Sequence, residues 1–230
     1  MMLSIVMPVY NEERTLGEII GRVRKSPITL ARELIVVDDA SKDRTMEVLK
    51  KIAAEYPEVH VFAHERNQGK GAAIRTAISK ARGDIILIQD ADLEYDPRDY
   101  PLLLEPILED QADVVFGNRF HGGPHRVLYF WHYAANRMLT LITNLLTGLN
   151  LSDMEVGYKV FRAEALKRLT LTSDRFGIEP EIAIKVARAR CRIYEVPIRY
   201  YGRTYEEGKK ITWKDGIAAL FHIFRYRFLH

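Results

Sequence analysis

Residues 84–96, DIILIQDADLEYD, decide how the rest of the chain is read. The run DIILI is apolar enough to be a buried strand, and carboxylates follow it at once on alternate positions, Asp90, Asp92, Glu94 and Asp96. Alternate side chains of an extended segment share a face, so a strand that continues far enough brings at least the first three together. Like charges this close disfavour one another. The cluster is tolerable if water solvates it well, or if a divalent cation with hard oxygen ligands balances it. On these residues alone, an acidic turn and a cation site fit equally.

Upstream, the chain repeats a unit of apolar run, polar turn and amphipathic stretch. Residues 3–10 (LSIVMPVY) read as a strand and 11–26 as a helix with Asn11 at its cap; residues 31–40 (ARELIVVDDA) read as a second strand entering an acidic loop. Residues 41–56 follow as a helix that Ser41 or Asp43 caps. Residues 59–65 give a third strand, 69–83 a third helix ended by Gly83, and 84–90 a fourth strand. Alternation of this kind implies an α/β architecture with a largely parallel sheet covered on both faces. Such sheets bind ligands at the carboxyl ends of their strands. That rule lines up PVYNE, DDASKD, ERNQGKG and DADLE along one edge as one candidate site. Alone, DDASKD is equally a helix cap, and NQGKGAA a loop whose glycines give backbone freedom. NQGKGAA does not match GxxxxGK[ST], and Ile74 stands where GxGxxG needs its third glycine, so neither a nucleotide hydrolase nor a dinucleotide oxidoreductase is supported.

Composition narrows the field further. The 230 residues, 47% hydrophobic and 28% charged, suffice for one large domain or one and a half. A net charge of +3 is too weak to argue for nucleic acid, although the C-terminal stretch is locally basic and aromatic. The single cysteine, Cys191, excludes an internal disulfide framework and a cysteine zinc site, and fits a reducing compartment. The start MMLSIVMPVYNEE reaches Pro8 and Glu12 too early for a signal peptide. No run approaches the roughly 18–20 apolar residues of a membrane helix, so the chain is not expected to cross a membrane by itself.

Six ordered segments, IVMPVYNEE, LIVVDDASKDRT, NQGKGAA, QDADLEYDP, VFGNRF and SDMEVGYKVFR, together resemble the family 2 glycosyltransferases of the GT-A fold. Within that family the likeness is to dolichyl- or polyprenyl-phosphate sugar synthases, and it spans residues 3–202. The resemblance implies a Rossmann-like, mostly parallel sheet flanked by helices in residues 1–202, followed in 203–230 by a mobile loop and a C-terminal amphipathic helix suited to membrane or partner attachment. It also implies an inverting, metal-dependent transfer of a hexose from a nucleotide sugar, of the GDP-mannose or UDP-glucose type, to a polyprenyl or dolichyl phosphate. Carried over by position, Pro8, Tyr10, Glu12, Asp38, Asp39, Lys70 and Asp90 would bind the nucleotide. Asp90, Asp92 and Glu94 would hold Mg²⁺ or Mn²⁺, and Asp92, Arg119 and Asp153 would be catalytic. Arg119 and Arg126 would receive the acceptor phosphate, and Lys159 matches a position near the donor. A protein of this kind is expected at the cytoplasmic face of a membrane, attached peripherally or through a membrane-protein partner.

The chemistry is consistent with those expectations. Departure of a nucleoside diphosphate leaves negative charge on phosphate oxygen, which a divalent ion stabilises as it develops. A lipid monophosphate, with a second pKa of about 6, is already a nucleophilic dianion at neutral pH. It needs cationic guidance instead of a general base, and a guanidinium matches phosphate oxygens in pairs. A sugar hydroxyl acceptor would need a base, a sugar nucleotidyltransferase would release pyrophosphate, and a non-catalytic module would bind donor without turnover.

Further downstream, residues 127–151 (VLYFWHYAANRMLTLITNLLTGLNL) suit either a core helix or one lying in a membrane interface, with Tyr129, Trp131 and Tyr133 at headgroup level. In the C-terminal stretch, Ile217, Leu220, Phe221 and Phe224 recur at helical spacing beside Arg225 and Arg227. Glu179 and Glu181 suit a helix N-terminus. Residues 201–216 read as a mobile loop that brings Arg203, Lys209 or Lys210 to phosphate.

Overall fold

The computed structural model describes residues 1–127, 129–204, 206–207 and 213–229. Seven strands form one sheet: β1 (Met2–Val9), β2 (Ala31–Asp38), β3 (Val59–Ala63), β4 (Ile85–Ile88), β5 (Val114–Asn118), β6 (Lys159–Arg162) and β7 (Ile193–Pro197). Their spatial order is β3-β2-β1-β4-β6-β5-β7. Leu3, Ile5, Val6 and Met7 are all fully buried, the near-continuous apolar run that a strand covered on both faces requires. Helices α1 (Leu16–Arg24), α2 (Thr45–Glu55) and α3 (Lys70–Lys80) connect the first four strands in register as parallel neighbours. The α/β expectation and its mostly parallel sheet hold.

Beyond β4 the sheet changes sense. β6 runs antiparallel to both β4 and β5, with Lys159 opposite Ile88, while β7 pairs parallel with β5. The chain reaches β6 through α4 (Tyr100–Leu108), β5 and the long α5 (Phe130–Thr147), then continues into α6 (Ala163–Lys167), α7 (Ile178–Arg188) and finally α8 (Trp213–Phe228). The reversed strand thus delivers Lys159 and the residues before it to the carboxyl end of β4.

Two local expectations are corrected and a third, with two candidates, is decided. Asn11 does not cap a helix: it sits at φ +54, its Oδ1 accepts from the Lys42 amide, and α1 begins only at Leu16. The helix from Gly69 ends at Lys80, not at Gly83. Gly83 is glycine because the chain passes so close to β1 that a Cβ would lie 2.7 Å from Ser4 N and Oγ. Ser41 serves Asp38, so Asp43, whose Oδ1 accepts from the Thr45 amide at 3.0 Å, is the side chain that satisfies the start of α2.

A buried carboxylate sets the registration of the strands that carry the site. Glu33 on β2 accepts from Ser4 Oγ on β1 at 2.6 Å, and from the Arg82 amide, Nε and Nη2 at 2.8–2.9 Å just before β4. Burial by itself would raise this carboxyl, but the Ser4 and Arg82 hydrogen bonds hold it below the usual glutamate range. Glu33→Ala is expected to lower the unfolding free energy by about 2 kcal/mol at neutral pH, read by urea titration. A carboxyl depressed in the folded state stabilises above its unfolded pKa of about 4.3 and loses that contribution as pH falls through the folded value. The gap between wild type and variant should therefore close in acid; a gap constant down to the acid transition would contradict this role.

Candidate active site

The first three carboxylates of the acidic segment come together, though not as a strand. β4 stops at Ile88, and a loop containing Leu93 at φ +63 carries Asp90, Asp92 and Glu94. Buried Gln89 pins its root: Oε1 accepts from the hydroxyls of Tyr100 and Tyr158, each at 2.7 Å, and Nε2 donates to the Asp90 carbonyl. A Cβ at Gly157 would overlap Asp90 Oδ2, so glycine there is what lets the turn before β6 approach. Asp96 leaves the group; it accepts from the Arg98 amide and pairs with the Arg98 guanidinium.

Cations from other parts of the chain enter this cluster. Arg203 Nη2 lies 2.9 Å from Asp92 Oδ2, its Nε 3.4 Å from Glu94 Oε1, and its Nη1 3.9 Å from Glu12 Oε1. Lys70, at the start of α3, contacts Asp90 at 3.0 Å and Glu179, in the first turn of α7, at 2.9 Å. Burial opposes the Lys70 charge, but Asp90 and Glu179 outweigh it and raise its pKa. Burial and the charges of Glu94 and Asp90 push the Asp92 carboxyl up to about 7, with Arg203 offsetting part of the rise. The site therefore carries more carboxylate than its own cations neutralise.

The loops after β1 and β2 form the flank of the site. Pro8 is buried in β1, past the last β1–β4 pair (Val6 with Ile88), where a strand tolerates the loss of an N–H. Glu12 takes the hydroxyl of Thr15 at 2.8 Å, and Tyr10 lies half-buried beside it. Asp38 holds the Ser41 hydroxyl and amide. Asp39 accepts from the amides of Gln68 and Gly69 at 2.9 and 2.7 Å, and lies 2.7 Å from His64 Nδ1. It thus shapes the loop that leads to Lys70. Gly69, at φ +103, and Gly71 pass so close to the 173–174 backbone that a Cβ at either would clash.

On the other side of the acidic loop, Arg119 at the end of β5 is clamped by Asp153. Nε and Nη2 reach the two Asp153 oxygens at 2.6 and 2.7 Å, a bidentate pair, and no described hydrogen bond uses Nη1. Asp153 is fully buried and also accepts from Asn136 Nδ2 at 3.0 Å. Tyr200 joins the two halves: its hydroxyl donates to Glu94 at 3.0 Å and its ring stacks 5.1 Å from the Arg119 guanidinium. Arg126 stands apart from Arg119, paired with Glu207 at 2.7 Å and with the Gly202 carbonyl. Lys159 is buried, with its ammonium on the Val156 carbonyl. Burial lowers it to about 8 against the pull of Glu179. Lys209 and Lys210 lie outside the described residues.

Sequence reasoning missed Glu155, before β6, and gave Glu179 only a helix-start role, whereas α7 sets it against Lys70. Glu181 is structural, taking the Thr172 and Ser173 amides and Lys185.

Helix α5 turns a mixed stripe inward, three polar residues beside Leu139. Asn136, Thr140 and Thr143 face inward, while Trp131 is 79% exposed and Leu145 76%. The inward polar groups are used: Thr140 Oγ1 donates to Asn136 and accepts from the Met154 amide. Helix α8 packs on α5 and α7 through Ala219, Ile223 and Tyr226, and Arg227 Nε caps the Leu146 carbonyl at 2.6 Å. Of the C-terminal residues at helical spacing, Ile217, Phe221 and Phe224 are exposed, while Leu220 packs against the core. No helix among the described residues is long and apolar enough to cross a membrane.

Comparison with known proteins agrees with this arrangement. The model of glycosyl transferase family 2 matches residues 4–170. An undecaprenyl-phosphate mannosyltransferase of Micrococcus luteus is 32% identical over 220 residues, covering 91% of this chain and 87% of its own. A dodecaprenyl-phosphate galacturonate synthase of Rhizobium johnstonii is 30% identical over 227 residues; 96% of this chain matches it, but only 64% of that protein's length is spanned. Among solved structures, glucosyl-3-phosphoglycerate synthase of Mycobacterium tuberculosis, determined with Mn²⁺, UDP and phosphoglyceric acid, superposes with a TM-score of 0.73 over 100% of this chain and 79% of that one. At 21% identity that likeness bears on the fold, which is GT-A. From the matched residues and the shared length, the chain belongs to glycosyl transferase family 2.

Proposed function

We propose that the chain transfers a hexosyl group, with inversion, from a nucleoside-diphosphate sugar to a polyprenyl phosphate at the cytoplasmic face of a membrane. The observation that carries this reading is a carboxylate cluster at the strand ends, Asp90, Asp92 and Glu94, in the same fold as an outward apolar surface on α5 and α8. The names of the relatives support the lipid-phosphate acceptor and leave the sugar open, since one is a mannosyl and the other a galacturonyl enzyme.

Asp90 and Asp92, with Glu94, are the residues to hold Mg²⁺ or Mn²⁺. Their oxygens are the hard donors such ions prefer, and the Arg203 guanidinium among Glu12, Asp92 and Glu94 marks a place that draws positive charge. Among the described residues no three side chains form a closed metal cage. Mg²⁺ with one or two carboxylates and substrate phosphates needs none. When bound, the ion supplies charge stabilisation to the departing diphosphate. Pro8, Tyr10, Glu12, Asp38 and Asp39 form the nucleotide wall, and Lys70 stands next to Asp90 to meet the phosphates.

For the acceptor, Asp153 holds Arg119 rigid through two nitrogens and leaves the third for phosphate, so Asp153 acts through Arg119. Arg126 would join if its Glu207 pair opened. Residues 1–202 are then the transferase body, and 203–230 supply Arg203 and the helix that completes the apolar face. The free Cys191 fits the cytoplasmic side.

Incubation with Mn²⁺ or Mg²⁺, a panel of UDP- and GDP-sugars and a short polyprenyl phosphate should yield sugar-linked lipid by mass spectrometry. The product should fall at least about a hundredfold with Asp92→Asn or Arg119→Ala. Donor hydrolysis without lipid product would move the acceptor to another class. In a second test, vesicles containing anionic lipid should sediment with the protein, and the double change Trp131→Glu, Phe221→Glu should lower the bound fraction about tenfold with unchanged circular dichroism. Equal binding would remove α5 and α8 from the membrane contact.

A further inference from the structure

Two buried carboxylate oxygens close to the acidic loop have nothing to accept from. Glu155 Oε1 and Glu179 Oε2 are shut from solvent and have no hydrogen-bond partner. Glu179 uses only its other oxygen, on Lys70 Nζ, and its side chain is 9% exposed. An unsatisfied buried acceptor costs about 1–3 kcal/mol, more when charged, and native structures carry few of them. Both lie at Asp90: Glu155 is two residues before Gly157, where a Cβ would overlap Asp90 Oδ2, and Glu179 reaches Asp90 through Lys70.

We propose that Glu155 and Glu179 accept hydrogen bonds from hydroxyls of the donor sugar, and that the donor is therefore an uncharged hexose, with uronic acids excluded. The inference rests on the transferase reading above, because a sugar bonded to a diphosphate held at Asp90 and Asp92 lies beside Lys70. Sugar hydroxyls are the donors that these two oxygens lack. A uronate would bring a further carboxylate to a desolvated place whose neighbouring cations, among the described residues, already have partners. Lys70 is engaged by Asp90 and Glu179, Lys159 donates to the Val156 carbonyl, and Arg119 is clamped by Asp153 on the acceptor side. A site built around acceptors for hydroxyl groups discriminates strongly against ligands that cannot supply the donors.

The test is calorimetric, on the full chain with Mn²⁺. UDP, UDP-glucose and UDP-glucuronate form one series, and GDP, GDP-mannose and GDP-mannuronate the other. Each sugar conjugate is read relative to its own nucleoside diphosphate on the same protein, so a general loss of folding or of nucleotide binding cancels. In the preferred series the wild type should bind the hexose conjugate at least about tenfold more tightly than the uronate. Glu155→Gln should narrow that ratio about tenfold, and Glu179→Gln should act in the same direction. A purely structural role would weaken all three ligands together and leave the ratio alone. A wild-type preference for the uronate, or a ratio unmoved in both variants, overturns the inference while the transferase reading stands. Absence of nucleoside diphosphate binding in both series overturns the transferase reading, and the inference with it.

Discussion

Charge at one edge of the sheet is the constraint on which the rest of this structure depends. Glu12, Asp90, Asp92, Glu94, Asp153, Glu155 and Glu179 all lie in or beside the site, against Lys70, Lys159, Arg119 and Arg203. In a partly desolvated place an unbalanced carboxylate is driven towards protonation, which is what happens to Asp92 and Glu155. The fold therefore imports cations from distant parts of the chain. Lys70 arrives on α3 because Asp39 shapes the loop before it, and Arg203 arrives from beyond the last strand. What remains uncompensated is negative charge, which a divalent ion with oxygen ligands would offset.

The same demand explains why α5 buries polar side chains. Asp153 must be fully buried to hold Arg119 in one orientation, and a buried carboxylate needs donors beyond a single guanidinium. Asn136 supplies one, and Thr140 supports Asn136, so the inward stripe of α5 is polar. Leu139 is buried with them, and Ile142 and Leu146 pack against the core, while Trp131, Met138, Leu141 and Leu145 face outward, as do Ile217, Phe221 and Phe224 of α8. Large apolar side chains exposed on two packed helices mark a contact surface more often than an accident. In this account, holding the acceptor cation and presenting an apolar face are two consequences of one helix.

The legible part of the sequence was the part governed by local periodicity. β1 to β4 and α1 to α3 follow from apolar runs and amphipathic spacing, and the rule of carboxyl-end loops then brings the acidic residues together from sequence alone. The reversed strand β6 was not legible, because nothing in KVFR records direction and the pairing of Lys159 with Ile88 is set by contacts across 71 positions of chain. Gly83 reads as a helix end and proves to be a place of close approach to Ser4, and Gly157 approaches Asp90 in the same way. The pair Glu179–Lys70 was invisible for the same reason: α7 meets α3 only in the fold. The outward face of α5 was half legible, since amphipathicity reveals two faces but not which of them the protein keeps for itself.

The central claim, that the edge carboxylates form a divalent cation site completed by a nucleoside diphosphate, is tested most directly by electron paramagnetic resonance of Mn²⁺. Titrating the wild-type chain into Mn²⁺ with UDP or GDP present should quench the free-ion signal beyond what nucleotide alone achieves, and Asp92→Asn should abolish that excess. Equal signals with and without the protein, or equal quenching by the Asp92 variant, would contradict the account.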